Sequence, residues 1–83
     1  MTETTELNPR IAFEAGFRRS SGNGNLVREW RGRVVRVFRQ HGAFHWSVRR
    51  TDTDGRAVTR YSGPFRYEED ATADLARELG IQP

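Results

Sequence analysis

Gln40-His41-Gly42-Ala43-Phe44-His45-Trp46-Ser47-Val48-Arg49 is the stretch on which the fold turns. From Phe44 onward, apolar residues (Phe44, Trp46, Val48) alternate with polar ones (His45, Ser47, Arg49), the period of a strand that buries one face and leaves the other to solvent. Gln40-His41-Gly42-Ala43 reads as a tight hairpin turn, so another strand must run back along this one. Upstream, Leu26 to Arg39 contains Val34, Val35, Val37 and Phe38, the β-branched and aromatic types that suit a pleated surface. Gly32 is expected to bend or bulge this long run. Downstream, Thr51-Asp52-Thr53-Asp54-Gly55 is a second turn, with Asp-Gly as its cue. Arg56 to Ser62 then forms a third strand, closed by Gly63-Pro64.

The C-terminal segment changes period. Ala71, Leu75 and Leu79 recur at four-residue steps, with Thr72 and Ala76 beside them. That stripe predicts a helix over 67–79 lying across the sheet. Glu68, Glu69 and Asp70 fall in its first turn, where negative charge favours the positive end of the helix dipole, and Gly80 supplies the stop. Near the N-terminus, Ile11, Phe13, Ala15 and Phe17 alternate with polar or small residues. This favours a fourth strand; a helical turn begun by Asn8-Pro9 and stopped by Gly16 is the competing reading. Arg19-Ser20-Ser21-Gly22-Asn23-Gly24-Asn25 is a loop. Residues 1–8, rich in Thr and Glu, are expected to be a disordered leader, with residues 9–83 as one domain. The expected fold is α+β, a small antiparallel sheet of three or four strands packed against one C-terminal helix.

Composition limits the function. The 83 residues contain no cysteine, which excludes disulfides and thiolate metal sites. The start of the chain is polar and acidic, and no stretch approaches the apolar length of a membrane span, so a soluble cytoplasmic protein without a membrane partner is expected. His41 and His45 flank a turn without an acidic ligand beside them, and Asp52 to Gly55 lacks the distal ligands of a calcium loop. No serine, histidine or carboxylate set has the context of a catalytic site. We therefore expect a non-enzymatic protein with no metal and no cofactor.

Charge supplies the positive signal. All fourteen basic side chains are arginines, and thirteen lie between Arg10 and Arg66 against four acids (Glu14, Glu29, Asp52, Asp54). The last seventeen residues invert the balance, with five acids against Arg77. A GC-rich genome accounts for arginine over lysine, but not for this segregation. Clustered arginines displace the counterions of polyanions and bind phosphates or guanine edges through a planar fork. DNA or RNA is thus the expected partner. The proposed contacts are Arg31, Arg33, Arg39 and Arg49, with His45 and Tyr61 as secondary ones and the Arg18-Arg19 loop entry nearby. The alternative is a protein partner, or a second copy of the chain, docking on a strand edge or on the acidic helix.

Gly63-Pro64-Phe65-Arg66-Tyr67-Glu68-Glu69-Asp70-Ala71, together with the Gly42 turn before Phe44 and the Asp54-Gly55-Arg56 turn, resembles the AP2-type DNA-binding domain and the related arm-binding domains of phage integrases. The resemblance runs from Arg36 to Gly80. It implies three antiparallel strands on one helix, with Arg39, Arg49 and Tyr61 in the positions of that family's contacting residues. Val34, Val37 and Thr59 stand where the family carries further arginines.

Overall fold

The first apolar alternation is wound as a helix, not extended as a strand. The computed structural model describes residues 8–81, and in it α1 spans Pro9–Ala15. Three local features decide this against the period-2 pattern. The Asn8 side-chain oxygen accepts a hydrogen bond from the Ile11 N–H at 3.0 Å, Pro9 sits in the first turn, and Gly16 caps the end. The winding leaves Ile11 exposed and buries Phe13, whose ring meets Phe17 edge-on at 5.2 Å. Apart from Asn8, the expected leader lies outside the described residues.

The second correction concerns the long run from Leu26. Gly32 does not bend one strand; it closes a hairpin between β2 (Leu26–Trp30) and β3 (Arg33–Gln40). Arg31 at φ 49° and Gly32 at φ 78° both take left-handed backbone, the requirement of a two-residue turn whose twist matches its strands. His41 at φ 54° and Gly42 at φ 80° repeat this geometry between β3 and β4 (Ala43–Thr51). With the two-residue β1 (Arg18–Arg19) and with β5 (Ala57–Phe65), the sheet has five strands in the order β1-β2-β3-β4-β5, each antiparallel to its neighbour. The fold is α+β as expected, with five strands where three or four were expected and two helices where one was.

α2 (Glu68–Glu78) matches the predicted C-terminal helix, and Ala71, Thr72, Leu75 and Ala76 form its buried face. Its end is closed by Gly80, at φ 78°, and Ile81, whose N–H groups reach the Arg77 and Ala76 carbonyls at 3.0 and 2.9 Å. Both helices lie on one face of the sheet. The single core cluster joins Phe13 of α1, Val35 and Val37 of β3, Trp46 and Val48 of β4, and Ala71, Leu75 and Ala76 of α2. Phe44, Phe65 and Leu79 pack against its margin. Trp46 is the centrepiece: 2% exposed, with its indole N–H donating to the Asp74 carboxylate at 2.9 Å. The outer edge is blunted at β1 by its shortness and at β5 by Pro64. Among the described residues, no helix is long and apolar enough to cross a membrane.

Candidate nucleic-acid interface

Because both helices occupy one face, alternation along each strand sends every second side chain to the uncovered side. Register then sorts these into rows. Arg18 pairs with Val27, Val27 with Arg36, Arg36 with Ser47, and Ser47 with Tyr61, so one row crosses all five strands. At about 4.8 Å per strand it is roughly 19 Å long. The row on one side of it runs Glu29, Val34, Arg49, Thr59; on the other side Phe38 pairs with His45. Arg36 and Arg49 are diagonal neighbours on adjacent strands, with Cβ atoms about 7–8 Å apart.

Shape follows from these rows. Ser47, at the middle of the open face, is only 5% exposed, while Tyr61 at one end of its row is 70% exposed. Phe38 and His45 stack face to face, with centroids 5.5 Å apart and planes 19° from parallel. The result is a shallow floor at Ser47, with an exposed tyrosine and a stacked ring pair beside it and Arg36 and Arg49 on neighbouring positions.

The ion pairs of α2 fall on one face of the sheet. On the covered face, Glu68 of α2 takes Arg19 through two hydrogen bonds of 3.1 Å, and Glu78 takes Arg60. The Glu68 hydrogen bond, followed by its charge, raises the pKa of Arg19. An arginine is already charged at physiological pH, so this shift makes no switch there. Asp74 is shared by Trp46 and Arg77, and Arg10 pairs with Glu14 along α1 at 3.0 Å. Arg18, Arg36 and Arg49 make no ion pair among the described residues, and Glu29 is the one acid in the rows of the open face. α2 therefore pairs with Arg19 and Arg60 on its own side and with none of the arginines on the far side.

The six residues singled out from sequence are divided by this geometry. His45, Arg49 and Tyr61 share the open face. Arg33 and Arg39 have the parity of Val35 and Val37 and lie at opposite ends of the covered face. Arg39 sits over the Phe44 ring at 5.9 Å. Arg31 belongs to the β2–β3 turn, 4.7 Å from the Trp30 ring, with Arg33 on the same indole at 5.8 Å. Arg39 and Arg49 thus do not form one surface. Arg36 takes the place beside Arg49, and its signal was its parity opposite to Val35 and Val37. Among the described residues, no three His, Asp or Glu side chains gather as a metal site would require.

Gly63 shapes one border of this face. The β4–β5 register slips between Phe44 and Trp46, which brings the Gly63 backbone against His45. A Cβ at Gly63 would collide with His45 Nδ1 and lie 3.0 Å from the Phe44 carbonyl oxygen, and the backbone stands at φ 142°. Gly63→Ala is therefore expected to destabilise the fold by about 1–3 kcal/mol and to push His45 off Phe38. Urea unfolding reads the first effect, and the ring-current shifts of the Phe38 and His45 protons read the second.

Set beside known proteins, the chain matches no family model, no curated protein and no solved structure.

Proposed function

We propose that this protein binds nucleic acid without catalysis, through the open face of its sheet, and that it prefers strands with unpaired bases. The observation that carries the proposal is the unmatched charge of Arg18, Arg36 and Arg49 on the one face that no helix covers. A phosphate backbone laid over these arginines gains charge-assisted hydrogen bonds and releases its condensed counterions. Tyr61, standing 70% exposed in the row of Arg36, offers a π-face on which a splayed base can stack. The Phe38–His45 pair offers a second flat surface two residues along the strands. Buried Ser47 keeps the floor between them low enough for a strand to lie across.

Of the three contact positions implied by the likeness to AP2-type domains, Arg49 and Tyr61 lie on this open face and Arg39 does not. The acids of α2 bear on the alternative. Glu68, Asp74 and Glu78 are engaged within the chain, which favours the arginine face over the acidic helix as the docking surface.

Stacking gives the proposal its sharpest test. Tyr61→Ala is expected to weaken binding to a single-stranded oligonucleotide by about 1–3 kcal/mol, the worth of one stacked base. Binding to the matching duplex, measured by the same anisotropy titration, should change little. Equal loss on both substrates would assign Tyr61 a general role and remove the preference for unpaired bases.

A further inference from the structure

A second set of arginines gathers on the covered side, beyond the end of α2. The strands run past Glu78 there, and the space left over them is a cleft of about 280 Å³ lined by Trp30, Arg31, Arg33, Arg50, Arg60 and Glu78, with Leu79 at its back. These side chains come from four consecutive strands, one turn and the end of α2. Trp30 pairs with Arg33, Val48 with Arg60, and Arg50 with Val58, so register holds the cluster together from residues far apart in sequence.

The chemistry of this cleft is unbalanced. Arg60 pairs with Glu78, and that is the one acid along its lining. Arg31, Arg33 and Arg50 have no acid partner among the described residues. Arg31 and Arg33 lie 4.7 and 5.8 Å from the Trp30 ring, an arrangement that orients two guanidinium forks without neutralising them. The last carbonyls of α2 belong to the same neighbourhood, and those of Ala76 and Arg77 are already taken by Ile81 and Gly80. Like charges held together at a concave surface repel one another and concentrate positive potential, and an anion relieves both effects.

We propose that this cleft is an anion site, separate from the open face, that takes a short polyphosphate chain. Its volume falls just below the range of about 300–1,000 Å³ typical of pockets for drug-sized ligands, which suits a compact anion. Three unmatched guanidinium forks fit the several oxygens of linked phosphates better than a single carboxylate. Trp30 forms the apolar wall, so a nucleoside attached to the phosphates would find an aromatic surface beside them. The inference does not depend on the nucleic-acid reading, since it uses a different set of arginines.

The two tryptophans make the test direct. Trp46 is buried and hydrogen-bonded to Asp74, so a ligand in the cleft reports through Trp30. The full-length protein is titrated with inorganic tripolyphosphate and, separately, with ATP at about 50 mM salt, where screening is modest, and tryptophan emission is followed. Saturation is expected below about 1 mM, with the change lost in Trp30→Phe. Arg33→Ala combined with Arg50→Ala should raise Kd by about tenfold or more. Arg36→Ala combined with Arg49→Ala should leave it unchanged. The near-ultraviolet dichroism of Trp46 verifies that each variant is folded, and Arg50→Gln, which keeps the side-chain stem, serves as a gentler second variant. Equal affinity for the two ligands assigns recognition to the phosphates alone, whereas tighter ATP binding adds contact of the nucleoside with Trp30. No saturation by either ligand, or equal weakening by both arginine pairs, would overturn the site. Failure here with intact oligonucleotide binding would leave the open-face reading standing, and the reverse result would leave the cleft standing.

Discussion

Replacing Arg36 and Arg49 together with alanine is expected to reduce oligonucleotide affinity by about a hundredfold at low salt, taking about tenfold for each charge-assisted contact. The slope of log K against log salt concentration should fall by about 1.4–1.8, because two phosphates are no longer neutralised. Arg36 and Arg49 are exposed, on adjacent strands, and free of acid partners among the described residues. Their removal therefore costs no internal ion pair, and the loss reads binding instead of folding. Arg10→Ala and Arg19→Ala serve as contrasts. Those arginines already pair with Glu14 and Glu68, so the salt slope should be nearly unchanged without them. Salt titrations of anisotropy for the four proteins separate the two classes.

Trp46→Ala is expected to destabilise the fold by about 3–5 kcal/mol, the usual cost of emptying a large aromatic site in a core. An 83-residue domain has roughly 4–12 kcal/mol of stability at about 0.05–0.15 kcal/mol per residue, so this one change removes much of it. Trp46 touches both layers: it lies between Val37 of β3 and Ser62 of β5 in register, and its N–H reaches Asp74 of α2. Its loss therefore opens the seam between helix and sheet and strips the Asp74 carboxylate of a donor. Thermal unfolding should show a midpoint at least about 12 °C lower. Ile11→Ala, at a side chain that is 51% exposed, should shift it little.

The helix and the second long strand were legible in the sequence because their signals are local. Ala71, Leu75 and Leu79 fix one face of a helix whatever the rest of the chain does, and Phe44, Trp46 and Val48 fix one face of a strand. Residues 9–17 misled because Phe13 and Phe17 satisfy both a period of 2 and the i, i+4 spacing of a helix. Asn8, Pro9 and Gly16 decided between them through capping, which outweighs periodicity in so short a segment. The β2–β3 turn was hidden because its first left-handed position is an arginine, where asparagine or glycine is the usual marker.

The candidate site was harder to read for a related reason. β3 carries apolar residues on both faces, Val35 and Val37 on one, Val34 and Phe38 on the other. Alternation within that strand cannot say which side is buried. The answer lies in pairing, Val35 with Val48 and Val37 with Trp46, which ties β3 to the one strand whose inner face is unambiguous. With that register, Arg36 joins Arg49, His45 and Tyr61, while Arg33 and Arg39 turn to the helix side. The charge pattern announced a cationic surface, and long-range pairing divided it into two.

Fluorescence anisotropy of the wild-type protein decides whether unmatched arginines on an open sheet face bind nucleic acid. Labelled single- and double-stranded DNA and RNA would be titrated between about 50 and 200 mM salt. Micromolar or tighter binding is expected at the low-salt end, with a steep fall as salt rises and tighter binding to single strands than to duplexes. Absence of binding to every oligonucleotide at the lowest salt would contradict the proposed function.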